Sequence, residues 1–93
     1  MVTNTADATT IERDVRQFLA ENFILADGGA GLGAEDSLTQ AGVLDSMGVL
    51  ELIMFIEQRF GVTVPDEDTL PENLDSVGRI VAYVGRRLAD GRG

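Results

Sequence analysis

Two serines in this chain open apolar runs in nearly the same company: Leu44-Asp45-Ser46-Met47-Gly48 and Leu74-Asp75-Ser76-Val77-Gly78. A serine at the first turn of a helix can cap it by accepting a backbone hydrogen bond. It can also simply display its hydroxyl where the preceding loop turns into the helix. Capping does not separate the two serines, but their surroundings do. The run after Ser46 carries Glu51 and Glu57, whereas the run after Ser76 carries Arg79, Arg86 and Arg87. If basic enzymes dock beside a modified serine, Ser46 is the better site.

Other chemistry is scarce. The chain has no cysteine and no histidine, which removes the commonest nucleophile-and-base pairs and most zinc sites. Thiol chemistry would have to come from a group added to the chain. Gly29, Gly31 and Ala34 fit a loose dinucleotide fingerprint, but no strand precedes them. Asp66, Glu67 and Asp68 begin like a calcium loop without its central glycine and closing glutamate. The expectation is no catalytic residue and no metal site, so an enzyme is not expected.

The charge is strongly one-sided. The formal net charge is −9, and ten of the 16 acids but only one arginine, Arg59, lie between Glu35 and Asp75. That middle stretch carries the whole imbalance. Nucleic acid needs cations facing its phosphates, so it is not an expected partner. A concentrated acidic face instead steers basic partners toward one region. The first nine residues lack the basic-then-apolar pattern of a secretion signal. The apolar stretches are too short to span a bilayer. A soluble, cytoplasmic monomer is expected, with no membrane contact.

The elements that would position these residues follow from periodicity. A first helix is predicted from about Thr10 to Leu25, with Thr9 and Glu12 at capping-box spacing. Ile11, Val15, Phe18, Leu19 and Asn22 fall on one face of it, apolar except for Asn22. A glycine-rich loop follows to about Leu44, anchored by Leu32, Leu38, Val43 and Leu44. A second helix starts at Asp45 or Ser46, either of which can cap it, and ends near Phe60. Gly61 is placed to stop it in a left-handed conformation. Its core face is Val49, Leu52, Ile53, Ile56 and Phe60. Residues Val62 to Pro65 read as extended, and a short helix lies around Pro71 to Leu74. A last helix runs from about Ser76 to Ala89, with Val77, Ile80, Val81, Val84 and Leu88 as its stripe. The fold class is all-α: a small antiparallel bundle of three main helices plus one short helix. One domain over residues 9–89 is expected, between flexible tails at 1–8 and 90–93.

The run from Gly42 to Val84 resembles the acyl carrier protein family, including peptidyl and D-alanyl carrier proteins. The likeness is carried by Leu44-Asp45-Ser46-Met47, Glu51-Leu52, Phe60-Gly61-Val62 and Pro65-Asp66, and by Leu74-Asp75-Ser76-Val77 with Ile80 and Tyr83-Val84. The resemblance implies a stand-alone acyl or aminoacyl carrier. A phosphopantetheinyl transferase would move 4′-phosphopantetheine from coenzyme A to Ser46, and the arm's thiol would hold cargo as a thioester. It also implies that Asp45 contacts the modifying enzyme, and that Met47, Glu51, Met54 and Glu57 form a docking face beside the arm. The partners implied are loading enzymes, ketosynthases or acyltransferases. The Gly-Val-Leu-Asp-Ser-Met wording is closer to discrete aminoacyl and secondary-metabolism carriers, of polyketide or nonribosomal-peptide type, than to housekeeping fatty-acid carriers. Gly48 departs from the pattern, standing where many fatty-acid carriers have an acid. A glycine inside a helix costs about 1 kcal/mol relative to alanine. A fatty-acid carrier and an unmodified acidic helical adaptor are the competing readings.

Overall fold

A computed structural model of the protein describes residues 7–23 and 31–90. Four α-helices and one 3-10 turn, with no strand, make up the regular structure among the described residues. The helices are α1 (Ala8–Asn22), α2 (Ser46–Phe60), α3 (Pro71–Leu74) and α4 (Val77–Ala89); the 3-10 turn is Asp66–Asp68. The all-helical bundle matches the class expected from sequence. Residues 1–6, 24–30 and 91–93, which include most of both expected tails and the expected end of the first helix at Leu25, lie outside the described residues.

The start of α1 differs from the capping-box expectation. Asp7, not Thr9, is the N-cap, and its Oδ1 accepts from the Thr10 N–H at 2.8 Å. A short carboxylate is a better cap than threonine, so the helix begins before the Thr9–Glu12 pair. Glu12 binds Arg16 one turn on instead, at 2.8 Å. The backbone and hydroxyl of Thr10 hold the Asp7 carboxyl below its ordinary value.

Ile11, Val15 and Leu19 of α1 meet Leu52 and Ile56 of α2 and Val77, Ile80, Tyr83 and Val84 of α4 in one buried core. Helix α4 packs most extensively on α1 and also holds α3. Asp14 is a buried acid on the α1 core side. The Arg59 guanidinium reaches it with both Nε and Nη2, at 3.0 and 2.9 Å. Arg59 therefore ties α2 to α1 as well as sitting at the negative end of its helix. Above that pair the four phenylalanines run in file. Phe18 stacks on Phe55 at 4.4 Å, with Phe23 and Phe60 edge-on at either end. Gly61 ends α2 at φ 72°, in the left-handed region predicted for it.

The segment 31–44 has no helix, yet it is anchored. Leu38 is completely buried, and its carbonyl accepts from the Val43 and Leu44 N–H groups. Arg16 donates to the Leu32 carbonyl at 2.7 Å. Asp75 binds the segment from the other side. Its carbonyl accepts from the Leu38 N–H, and its carboxylate accepts from the Ser37 hydroxyl and the Thr39 N–H. Burial by itself would raise the Asp75 carboxyl, but these hydrogen bonds and the Arg79 charge outweigh it and hold the group below 3.8.

Tyr83 fastens the 3-10 turn to α4 by donating to Asp68 at 2.7 Å. Burial, then the Asp68 carboxylate, pushes its phenol up to about 12. A phenol whose folded value lies above its unfolded value near 10 stabilises the fold fully below pH 10. That contribution is lost as pH rises to about 12. Tyr83→Phe should cost about 1.5–3 kcal/mol at neutral pH, the net worth of one hydrogen bond to a charged acceptor. In urea titrations the wild type should weaken between pH 10 and 12, and the gap to Tyr83→Phe should close there. A gap unchanged across that window would show that the phenol does not titrate with unfolding.

Candidate functional site

The two look-alike serines fold in different registers. In the first pentad Asp45 is the N-cap of α2, and its Oδ1 accepts from the Gly48 N–H at 2.8 Å. Ser46 is the first helical residue and is exposed, and no hydrogen bond among the described residues engages its hydroxyl. In the second pentad the register slips by one residue. Ser76 is itself the N-cap of α4, 1% exposed, accepting from the Arg79 N–H at 3.1 Å. Asp75 is released from capping and spent on the 37–39 segment. So Ser76 is consumed by the fold and Ser46 is presented to solvent.

The first turn of α2 suits an anion. Asp45 takes the amides of Gly48 and Val49, through its carboxylate and its carbonyl. Among the described residues no acceptor lies against the Ser46 and Met47 amides. Two unpaired N–H groups at a helix start, beside an unencumbered hydroxyl, fit a phosphodiester at that oxygen.

The neighbours named from sequence divide into two groups. Asp45, Met47, Glu51 and Met54 are all exposed, Met47 at 66% and Met54 at 57%. Glu57 is half-buried, and its Oε2 accepts from the Val64 N–H at 2.9 Å, which fixes the extended stretch after α2. Its carboxylate thus has an internal partner that Glu51 lacks. Leu50, which sequence reasoning passed over, is 56% exposed. It completes an i, i+3, i+7 apolar line with Met47 and Met54, away from the buried Leu52 and Ile56. That spacing was available in the sequence as an apolar set outside the core stripe.

On the other flank of Ser46 lies a mostly apolar cleft of about 100 Å³. Its walls are Leu44 and Val49 on the serine's side and Leu70, Pro71 and Leu74 around α3. Arg79 donates to the Pro71 carbonyl at 3.3 Å and Arg86 to Asn73 Oδ1 at 3.3 Å, which holds the far wall to α4. Among the described residues no group of acids, histidines or cysteines is placed to hold a metal ion. No described helix is long and apolar enough to cross a membrane.

Comparison with known proteins gives the family. A family model described as a phosphopantetheine attachment site matches residues 13–84. The chain is similar to a D-alanyl carrier protein of Streptococcus suis, 42% identical over 50 residues, covering 54% of this chain and 63% of that protein. It is similar to an acyl carrier protein of Exiguobacterium sp., 36% identical over 83 residues, covering 89% and 85% of the two chains. A Helicobacter pylori acyl carrier protein is 48% identical over 40 residues, 43% of this chain and 49% of that one. The match to the D-alanyl carrier protein spans less than two thirds of that protein's length. The match over residues 13–84 takes in α2, α3 and most of α1 and α4. The chain therefore belongs to the phosphopantetheine-binding carrier protein family, whose prosthetic group is a covalently held 4′-phosphopantetheine.

Proposed function

We propose that the chain is a carrier, not a catalyst, and that Ser46 is the residue to which its 4′-phosphopantetheine is joined. One observation carries this reading: Ser46 is exposed and Asp45 does the capping, so that no described residue engages the Ser46 hydroxyl, while Ser76 is buried in a cap of its own. When bound, the group supplies a terminal thiol that holds acyl or aminoacyl cargo as a thioester. Ser46 contributes the ester oxygen, and the Ser46 and Met47 amides face the phosphate. No titratable side chain hydrogen-bonds that hydroxyl among the described residues, so the base that takes its proton, as the serine oxygen displaces adenosine 3′,5′-bisphosphate from coenzyme A, would be the transferase's.

Met47, Leu50 and Met54 give partners an apolar strip on α2, with Asp45 and Glu51 as charged guides. The partners proposed are a phosphopantetheinyl transferase and the enzymes that load and unload the arm. Glu57 belongs to this face only in so far as its bond to Val64 leaves its second oxygen free. The cleft beside Ser46, about 100 Å³, is smaller than the roughly 150 Å³ apolar cavity known to accept benzene. Its size favours a short cargo such as an aminoacyl or small acyl group. With the wording of the motif around Ser46, this supports a pathway of secondary-metabolite type over one that extends long chains.

The test is incubation of the purified chain with coenzyme A and a broad-range transferase, followed by intact mass. A single arm should be added; a mass that never changes overturns the reading. Arms ejected from protein isolated from its native cell would give the cargo directly. Glu51→Arg should lower the rate of loading about tenfold at low salt and less at high salt, since exposed charges are screened there. A Glu12→Arg control, on α1, should load normally. Equal effects of the two would remove Glu51 from the docking face.

A further inference from the structure

Gly48 is a glycine that its backbone does not require. Among the described glycines only Gly42 and Gly61 have positive φ, and Gly48 lies within α2 in ordinary helical conformation. It sits two residues after Ser46 in the first turn of α2, and it is buried. Any other residue would be a better helix former there, proline apart. The reason for glycine is space. A Cβ at position 48 would lie 3.0 Å from Phe23 Cε1, 3.3 Å from Asp45 Oδ1 and 3.3 Å from Leu44 Cδ2. Carbon atoms settle at about 3.5–4.0 Å, so at least one neighbour would have to move.

Each neighbour matters to the serine. Asp45 caps the helix and flanks Ser46 on its N-terminal side. Leu44 is buried and forms one wall of the cleft. Phe23 fills the place of the missing side chain, and Phe18 backs its ring edge-on at 5.9 Å. Phe18 in turn is stacked on Phe55, so the ring has little room to retreat that way.

We infer that Gly48 and Phe23 are a positioning pair for the attachment serine. The Phe23 ring, at the C-terminal cap of α1, seats against the bare backbone of α2, and this contact sets where the Asp45 carboxylate and Leu44 stand around Ser46. The inference rests on the reading of Ser46 as the attachment residue. Because Gly48 is buried, a methyl group added there would act through Phe23, Asp45 and Leu44 and not by touching a docked enzyme.

The experiment compares wild type, Gly48→Ala and the double variant Gly48→Ala/Phe23→Leu in arm transfer from coenzyme A, with thermal midpoints measured alongside. A misplacement of about 1 Å can cost on the order of 100-fold, so a shift of a few tenths of an ångström is expected to cost about tenfold. Gly48→Ala should therefore lose about tenfold in kcat/KM, mainly through KM for the carrier, because Asp45 is a docking contact. Its thermal midpoint should not fall in proportion, since alanine favours the helix. The double variant, with the clashing ring edge removed, should return to within about threefold of wild type, given the usual coupling of residues in contact. Gly48→Ala loading at the wild-type rate overturns the inference, and so does a folded double variant that stays slow. If Gly48→Ala does not fold, the double variant decides alone. Failure of the wild type to load at all would instead bring down the attachment reading, and this inference with it.

Discussion

Ser46→Ala, co-expressed with a broad-range phosphopantetheinyl transferase, should emerge at the mass of the bare polypeptide, while Ser76→Ala should carry the arm and melt early. The first effect is all-or-none, because no other group can supply the ester oxygen at that place. The Ser46 hydroxyl makes no hydrogen bond among the described residues, and Asp45 keeps the cap, so the variant should fold as the wild type does. The second effect is one of stability. Ser76 is 1% exposed and satisfies the Arg79 N–H, and losing a cap of this kind costs about 1–2 kcal/mol. Intact mass and a melting curve on the two proteins check both halves. An arm found on Ser46→Ala, or absent from folded Ser76→Ala, would reverse the assignment of the two serines.

The second large effect separates two leucines on one helix. Leu52 is completely buried, whereas Leu50, two residues earlier, is 56% exposed. Leu52→Ala should destabilise the chain by about 3 kcal/mol, through lost burial and the cavity left behind. That is a large share of the roughly 5–15 kcal/mol that holds a domain of this kind together. Leu50→Ala should leave stability within about 0.5 kcal/mol of wild type. It should slow arm transfer about tenfold, as expected when an apolar anchor at the centre of a docking strip is truncated. Chemical denaturation and transfer kinetics would be measured on both. A Leu50→Ala protein that loads normally would place the docking strip elsewhere.

Most of the framework could be read from the chain because it is written in local rules. The 3.6-residue spacing of Leu52 and Ile56, and of Val77, Ile80 and Val84, dictates the helix faces that are buried. Gly61 marks the end of α2 by the one conformation glycine adopts cheaply. What stayed hidden depends on partners distant in sequence. Nothing local marks Asp14 as a buried acid; its partner Arg59 lies 45 residues on. Glu57 looks like another solvated acid until the chain turns back and offers it the Val64 N–H. The choice between Asp and Ser as cap in each pentad was open for the same reason. Both types cap well, and only tertiary placement gives the 37–39 segment to Asp75 and leaves Ser76 to its helix. The cap of α1 is the one local misreading: two plausible caps stood two residues apart, and the carboxylate prevailed.

The hydroxyl of Tyr83 against the Asp68 carboxylate has an optical consequence. The chain contains one tyrosine and no tryptophan, so its ultraviolet emission comes from a single ring. A carboxylate that accepts a hydrogen bond from the phenol is expected to quench that emission in the native state. Unfolding, or any partner that lifts the 3-10 turn from α4, should therefore brighten the protein. The molecule carries its own fluorescent gauge of that junction, readable without a label.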